Sequence, residues 1–427
     1  MERKGLSLFA LVMIAIGSTI GSGVFKTPTT IAQDVPSVWG MHGLWIAGGL
    51  VSMIGALVFA ELGRRYTNAG GVYSYLQNTW GTLPAFLYGW CLMTVVSSGT
   101  IAALIVVFVD FSQKLIPFAD SSKGLIAALS IVVLTLFNTF SLRSSEWFAN
   151  VATLLKMLGI FGLIILLLVW GQGAAESAVI QEELDAKMNW AGAFVGVLWS
   201  YTGWHYASFV SGDARKPQRD VPIAMIVGTL LVTAIYVLCN WGYLNVLSVQ
   251  EMMTSETLAA DAAEKVVPHS GWMVSLLIAL SVFGCAGLYV LATPRIIQQM
   301  SKEGVFFQMF SKAHPKFGVP LNAIMLQSIW AIVLVFFWDG FEDLFTYVTI
   351  TEWFFLLLTC LGFIALVVKN REYNTLRNKV YLALSIIFSI VVTWFIFKNA
   401  TSNNPAAYYG LLVIPIGMGF YYFMKRR

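Results

Sequence analysis

Twelve stretches of about 20 apolar residues, joined by short loops that hold most of the charge, decide what this chain can fold into. A hydrocarbon layer roughly 30 Å thick takes about 20 helical residues to cross, and a backbone inside it must pair its own polar groups. The stretches run at 7–33, 40–63, 83–113, 124–141, 146–171, 192–211, 222–246, 271–298, 320–338, 341–368, 380–398 and 405–424. The longest polar interruptions, at 173–191 and 247–268, are too short to fold alone, and "SKEGVFFQMFSKAHPKFGVP" reads as a short surface helix. Charged residues make up 11% of the chain, against about a quarter in soluble domains. The class expected is all-α: a polytopic membrane protein of twelve transmembrane helices, with residues 1–427 forming one membrane domain.

If the amino terminus is placed in the cytoplasm and sides alternate, 19 of the 26 lysines and arginines fall in cytoplasmic segments, among them Arg64, Arg65, Arg143, Arg215, Lys216 and Arg377. Lys156 alone is left in the membrane. The positive-inside rule predicts this asymmetry for a correct count, so both termini are expected inside. The outer loops "SAVIQEELDAK" and "SVQEMMTSETLAADAAEK" are acidic, in agreement. The first apolar stretch runs past a signal-peptide h-region and lacks a small-residue cleavage site, so no cleaved leader is expected.

Cys91, Cys239, Cys285 and Cys360 all fall inside apolar stretches, where none can staple an outer loop. His42, His205, His269 and His314 are scattered, without HExxH or paired metal spacing. No metal, other cofactor or nucleic acid is expected. A GxSxG elbow is absent, and "GSTIGSG" lacks the Gly-Lys-Ser/Thr ending of a phosphate loop, which argues against an enzyme. A channel would need a pore built by symmetry or by rings of charge.

Two stretches are poor membrane helices at their middles. The first carries Gly17–Gly23, "GSTIGSG", and the sixth carries "SYTG" within "FVGVLWSYTGWHYASFVSGDARKP". Five stretches separate them. An odd spacing starts a second block of five from the opposite side, the inverted arrangement found in secondary transporters. The first repeat would span 7–171, the second 192–368, and two extra helices 380–424. Unpaired backbone at this depth survives only where it faces a cavity or ligand. Helix amino ends offer N–H groups to a carboxylate and carboxyl ends offer carbonyls to an ammonium, so a zwitterionic amino acid satisfies both. The alternative is that the small residues form a close-packing face between helices.

"IGSTIGSGVF", "FAELGRRYTNAGGVYSYLQNTWGTLPAFLYGW", "LWSYTGWHYASFVSGDARKPQRDVPIAM" and "GLYVLATPRIIQQMSKEGVFFQMFSKAHPKFGVPLNAIMLQSIWA" resemble landmarks of the amino acid–polyamine–organocation superfamily, and most closely its L-type amino acid transporters, including stand-alone bacterial members. The resemblance implies a leucine-transporter-like five-plus-five inverted repeat with two additional helices, helices 1 and 6 being unwound. It implies that Ser18, Thr19, Gly21, Ser22 and Gly23 hold the substrate carboxylate and share in the amino-group site. Carbonyls near Trp199, Ser200 and Thr202 would take the ammonium, with Trp199 as a lid where Phe is more usual and Thr202 where several relatives have Gly. Lys156 would reach Gly17 and replace the sodium of coupled relatives with a tethered ammonium, with Tyr236 nearby.

Each residue also has a plainer reading. Lys156 would snorkel to the surface, Tyr236 would be a packed aromatic with its hydroxyl satisfied, and Ser97, Ser98 and Gly99 would pack helices rather than line a pocket. Glu352 would make a structural hydrogen bond rather than pair with a cationic substrate, and Glu61 would tie the inner gate or the adjacent loop. The implied function is sodium-independent exchange of small or medium neutral L-amino acids, with proton-coupled symport, a membrane-embedded enzyme and a non-transporting sensor as alternatives. The implied partners are the small-molecule substrate and membrane lipids. The loop between stretches three and four, "VDFSQKLIPFADSSKG", has no cysteine, so no disulfide-linked heavy chain is expected, as befits a protein of a bacterial inner membrane.

Overall fold

A computed structural model describes residues 5–67, 70–140, 142–171, 188–338, 340–372, 375–402 and 404–425. The acidic loop at 177–187, Arg3 and Lys4, Arg426 and Arg427, and the side chain of Arg143 lie outside the described residues. The described chain is helical, with one isolated bridge, Leu6 to Ala214, as its β structure.

The first stretch forms α1 (Leu8–Thr19) and α2 (Gly23–Asp34), and the second forms α3 (Val38–Arg65). A short α4 (Val72–Trp80) leads into α5 (Thr82–Cys91), a π-helical turn (Leu92–Ser97) and α6 (Ser98–Gln113), then α7 (Lys123–Phe140) and α8 (Leu142–Val169). In the sixth stretch, α9 (Trp190–Tyr201) is followed by a 3₁₀ segment (Trp204–Asp213) and α10 (Pro217–Val246). After α11 (Val249–Thr254) and α12 (Leu258–Val266) come α13 (Gly271–Ala292), α14 (Pro294–Lys302), α15 (Leu321–Phe337), α16 (Phe341–Lys369), α17 (Leu376–Ala400) and α18 (Pro405–Lys425).

Local chemistry sets several of these boundaries. Ser7, Ser37, Asn189 and Thr375 each accept from a backbone N–H in the first turn of α1, α3, α9 and α17, and Ser248 with Glu251 closes a capping box on α11. Nine helical runs among the described residues are long and apolar enough to cross a membrane. Of the other expected spans, the fifth and ninth retain shorter apolar helices, Thr153–Val169 and Leu321–Phe337, and the sixth divides into α9 and the 3₁₀ segment.

Two loops differ from expectation. The polar interruption after α10 carries α11 and α12, and α12 buries Leu258, Ala259, Ala260, Ala262 and Ala263. The expected surface helix after α14 is reduced to a 3₁₀ turn, Gln308–Phe310. Gly304 and Gly318 there sit at φ 75° and 70°, outside helical geometry, while Phe306 and Phe310 turn inward.

At the centre, α1 packs on α10, α2 on α9, and α10 along α3, while α13 lies against α6 and α8. The bridge joins the entry of α1 to the end of the 3₁₀ segment: Leu6 N–H donates to Asp213 O (2.7 Å) and Arg215 N–H to Leu6 O (3.0 Å).

Candidate functional site

The two interruptions meet in the middle of this packing. Ile20 leaves the helix at φ −77°, ψ 89° while its N–H still bonds Ile16 O. Gly21 N–H turns back to Thr19 O (2.9 Å), and α2 begins at Gly23. The non-helical piece is therefore Ile20–Ser22, narrower than the seven-residue run, with Gly17, Ser18 and Thr19 completing α1. Ser18 Oγ donates to Ile14 O (2.6 Å) and Thr19 Oγ1 to Ala15 O (2.7 Å), so both hydroxyls are bonded back within the last turn of α1. In the sixth stretch α9 ends at Tyr201, Thr202 is extended, and Gly203 takes φ 127°.

Glycine is required where the two stretches cross. A Cβ on Gly203 would stand 2.5 Å from Ser18 O, and one on Gly23 would stand 2.4 Å from Ser200 Oγ. Interruption and close packing thus share the same residues.

The carbonyls released at the two ends have donors from elsewhere. Lys156, buried on α8, donates through Nζ to Gly17 O (3.2 Å) and to Ile20 O. Among the described residues no carboxylate pairs with it; its ammonium answers the orphan carbonyls and negative end of α1. Snorkelling is thereby replaced by an inward reach. The hydroxyl of Tyr236 on α10 lies 3.0 Å from both Thr19 O and Ser200 O, one hydrogen shared between the carboxyl ends of α1 and α9.

A small cavity of about 20 Å³ lies beside these ends, roughly enough for a water molecule. The first interruption lines it with Ser18, Thr19, Gly21, Ser22 and Gly23, and the sixth with Trp199 and Thr202. Thr100 and Leu104 of α6 and Cys285 and Tyr289 of α13 complete the wall. The carboxyl end of α1 and the amino end of α2 both face it, partial charges of opposite sign a few residues apart. Ser22 Oγ is buried there without a hydrogen-bond partner among the described residues.

Ser200 stands behind this wall: its Oγ bonds Gly196 O (2.8 Å) and Thr27 Oγ1 (2.9 Å), and its carbonyl faces Tyr236. Thr202 Oγ1 accepts from Trp353 Nε1 of α16 (3.0 Å). Of the Ser97–Gly99 group, Ser97 bonds Thr293 Oγ1 (2.5 Å), Ser98 bonds Met93 O (2.6 Å), and a Cβ on Gly99 would meet Val348, so these residues pack helices. Thr100, Leu104, Cys285 and Tyr289 were not anticipated; they lie in regular helices where neither composition nor spacing marks them.

Trp199 lies between the cavity and a larger vestibule. Its ring meets those of Phe341 (6.1 Å) and Phe345 (6.2 Å), and Phe341 also lines an open space of about 540 Å³ with Lys26, Thr30, Gln33, Asp110 and Glu342. On the opposite face Glu61, fully buried, accepts from Arg64, Arg65 and, across to α17, Arg377 Nη2 (2.6 Å). Arg65 also binds Glu372 (2.6 Å).

The amino acid permease family profile matches residues 6–421. The b(0,+)-type amino acid transporter 1 of Mus musculus is 30% identical, over 98% of this chain and 88% of its own length. The cystine/glutamate transporter of Homo sapiens is 27% identical over 99% and 85%. The serine/threonine exchanger SteT of Bacillus subtilis is 29% identical over 78% and 76%.

Proposed function

The chain belongs to the amino acid permease family, as an L-type-like member of the amino acid–polyamine–organocation superfamily, and from that premise we propose that it exchanges small or medium neutral L-amino acids by alternating access, without sodium. It is a multi-pass membrane transporter of amino acids and not an enzyme. The observation that carries the finer reading is the cavity faced at once by the carboxyl end of α1 and the amino end of α2, with the unpartnered Ser22 hydroxyl between them.

In this reading the first N–H groups of α2 and Ser22 Oγ bind the carboxylate, and carbonyls near Trp199 and Thr202 with those of α1 take the ammonium. Ser200 acts from behind, through its hold on Thr27 and Tyr236. Trp199 closes the cavity from the vestibule side. Lys156 stands where a coupling cation would, which favours sodium independence, and its grip on Gly17 and Ile20 ties the occupied site to movement of α1. The cavity walls carry no carboxylate, amine, guanidinium or imidazole, which favours neutral side chains.

The architecture proposed is one transport domain of twelve helices, two inverted repeats of five (about 7–171 and 192–368) and two added helices (about 380–424), with helices 1 and 6 unwound at the two interruptions. Both termini are placed in the cytoplasm of a bacterial inner membrane, and no covalent heavy chain is attached. The Bacillus subtilis relative is named an exchanger, which favours exchange over proton symport.

Counterflow in proteoliposomes tests this. Labelled neutral amino acids should enter only vesicles preloaded with unlabelled amino acid, with or without sodium. Uptake into empty vesicles driven by a proton gradient would replace exchange by symport.

A further inference from the structure

The proposed transport mechanism leaves one buried ionisable pair unused. His205 is the second residue of the 3₁₀ segment just after the sixth interruption, and Glu352 lies midway along α16. Both are buried, and Nε2 of one stands 3.1 Å from Oε1 of the other. The two atoms are not aligned for a hydrogen bond. With Nδ1 of His205 and the hydroxyl of Tyr88 they are buried polar atoms that have no hydrogen-bond partner among the described residues.

The surroundings are aromatic. Phe59 of α3, Tyr206 and Phe209 pack around the imidazole at ring distances of 6.2, 4.8 and 5.8 Å. Tyr88 of α5, Tyr206, and Tyr289 of α13 are the titratable groups in electrostatic reach of the carboxyl. Among the described residues no lysine or arginine of α1, α3, α4, α6, α9, α10 or α17 pairs with either group, and the acid of α3, Glu61, is taken by Arg64, Arg65 and Arg377.

We propose that His205 and Glu352 together form a proton-binding site in the middle of the membrane, coupled to the amino acid cavity. A buried carboxylate beside a neutral imidazole would leave an uncompensated charge in an apolar shell. One proton taken from water removes that charge, whether it rests on Nε2 as an ion pair or on Oε1 as a neutral acid, and it belongs to the pair rather than to either residue.

The coupling follows from two contacts. Trp353, next to Glu352, donates to Thr202 in the cavity wall, and Tyr206, next to His205, packs against the cavity residue Tyr289 at 5.2 Å. The pair therefore fastens α16 to the same interruption that lines the cavity. Losing the proton loosens this junction, and separating the 3₁₀ segment from α16 exposes the pair to water, where the proton can leave.

The coupling rests on the transport reading above, whereas the proton site does not, and two measurements separate them. The carboxyl stretch of Glu352, followed by infrared difference spectroscopy of the purified protein during a pH titration, should change with a single-proton transition that Glu352→Gln removes and His205→Asn shifts. Counterflow in wild-type vesicles should speed up as pH rises through that transition, and both variants should flatten the profile while retaining exchange. An infrared spectrum without a titrating carboxyl that Glu352→Gln abolishes overturns the proton site. A titrating carboxyl with an unaltered pH–rate profile in both variants overturns the coupling alone, and loss of all counterflow in the wild type overturns the transport reading while the infrared result still decides the pair.

Discussion

Lys156 and Tyr236 do for two helix ends what a following turn does in an unbroken helix: they give donors to carbonyls that have lost theirs. A hydrogen bond to a charged group contributes about 1.5–3 kcal/mol, and a buried carbonyl left bare costs about 1–3 kcal/mol. Lys156→Ala removes the ammonium and frees two such carbonyls. It should slow exchange by roughly 10- to 100-fold, each factor of ten corresponding to about 1.4 kcal/mol, while the variant still elutes from size exclusion as a single folded peak. Unchanged counterflow would take Lys156 out of the mechanism. Tyr236→Phe keeps the ring and loses one shared hydrogen, so its effect should be smaller, on the order of tenfold in half-saturating substrate concentration. An effect confined to thermal stability, with the half-saturating concentration unchanged, would make the tyrosine structural.

At the scale of elements, the crossing of the two interrupted stretches fixes the cavity, and two glycines permit it. Gly23→Ala would drive a methyl against Ser200, whose Cα lies 2.6 Å from the added atom, and Gly203→Ala would do the same against Ser18 O with φ at 127°. Overpacking of this kind costs about 1–3 kcal/mol, and the positive φ adds strain at Gly203. Both variants should melt several degrees lower in detergent and lose substrate binding. Gly43→Ala, with open space around it on α3, is the control and should be neutral or slightly stabilising, by up to about 1 kcal/mol. Equal melting temperatures for all three would dissolve the crossing.

This level also marks how far the sequence could be read. α1 ends inside "GSTIGSG" and α9 inside "SYTG", runs whose glycines and hydroxyl residues are conspicuous in apolar stretches, and Lys156 stands out as a lone charge in one such stretch. The width of the first break was hidden, because composition marks all seven residues alike while only Ile20–Ser22 leave helical geometry. Thr100, Leu104, Cys285 and Tyr289 were hidden for a different reason: their helices are apolar on nearly every face, so burial leaves no periodic signature. The surface helix expected after α14 failed on Gly304 and Gly318, whose positive φ a hydropathy pattern does not carry.

Across the whole molecule, one face is open and the other latched. The vestibule above Trp199 reaches about 540 Å³, while the far face is held by Glu61 and its three arginines, two in the last turn of α3 and one from α17, with Glu372 binding Arg65 beside them. Arg64 and Arg65 also suit the negative end of α3, so the strap that crosses between elements is Arg377 to Glu61 together with Arg65 to Glu372. The hydrogen bond from Arg65 holds the Glu372 carboxyl below its ordinary range. A depressed folded-state value means that this contact contributes at pH above the ordinary carboxylate value and is lost only as pH falls through the lowered one, so the latch is intact near neutrality.

If the latch keeps its face shut, weakening it should admit reagents to the cavity from that side. Cys285 lines the cavity and reports this, once Cys91, Cys239 and Cys360 are replaced by alanine. Arg377→Ala removes a half-exposed partner and should change little, about 0–1 kcal/mol. Glu61→Gln removes the carboxylate that all three arginines share. A shift of about 1.4 kcal/mol in the open–closed balance would raise the alkylation rate of Cys285 by roughly tenfold for a membrane-impermeant reagent on the face of the termini. The rate for reagent on the vestibule side should fall or stay level if, as proposed, the two openings alternate. Equal acceleration from both sides would mean that Glu61→Gln loosens the fold as a whole, and no acceleration from the termini's face would mean that the closure lies elsewhere, between the 3₁₀ segment and α16.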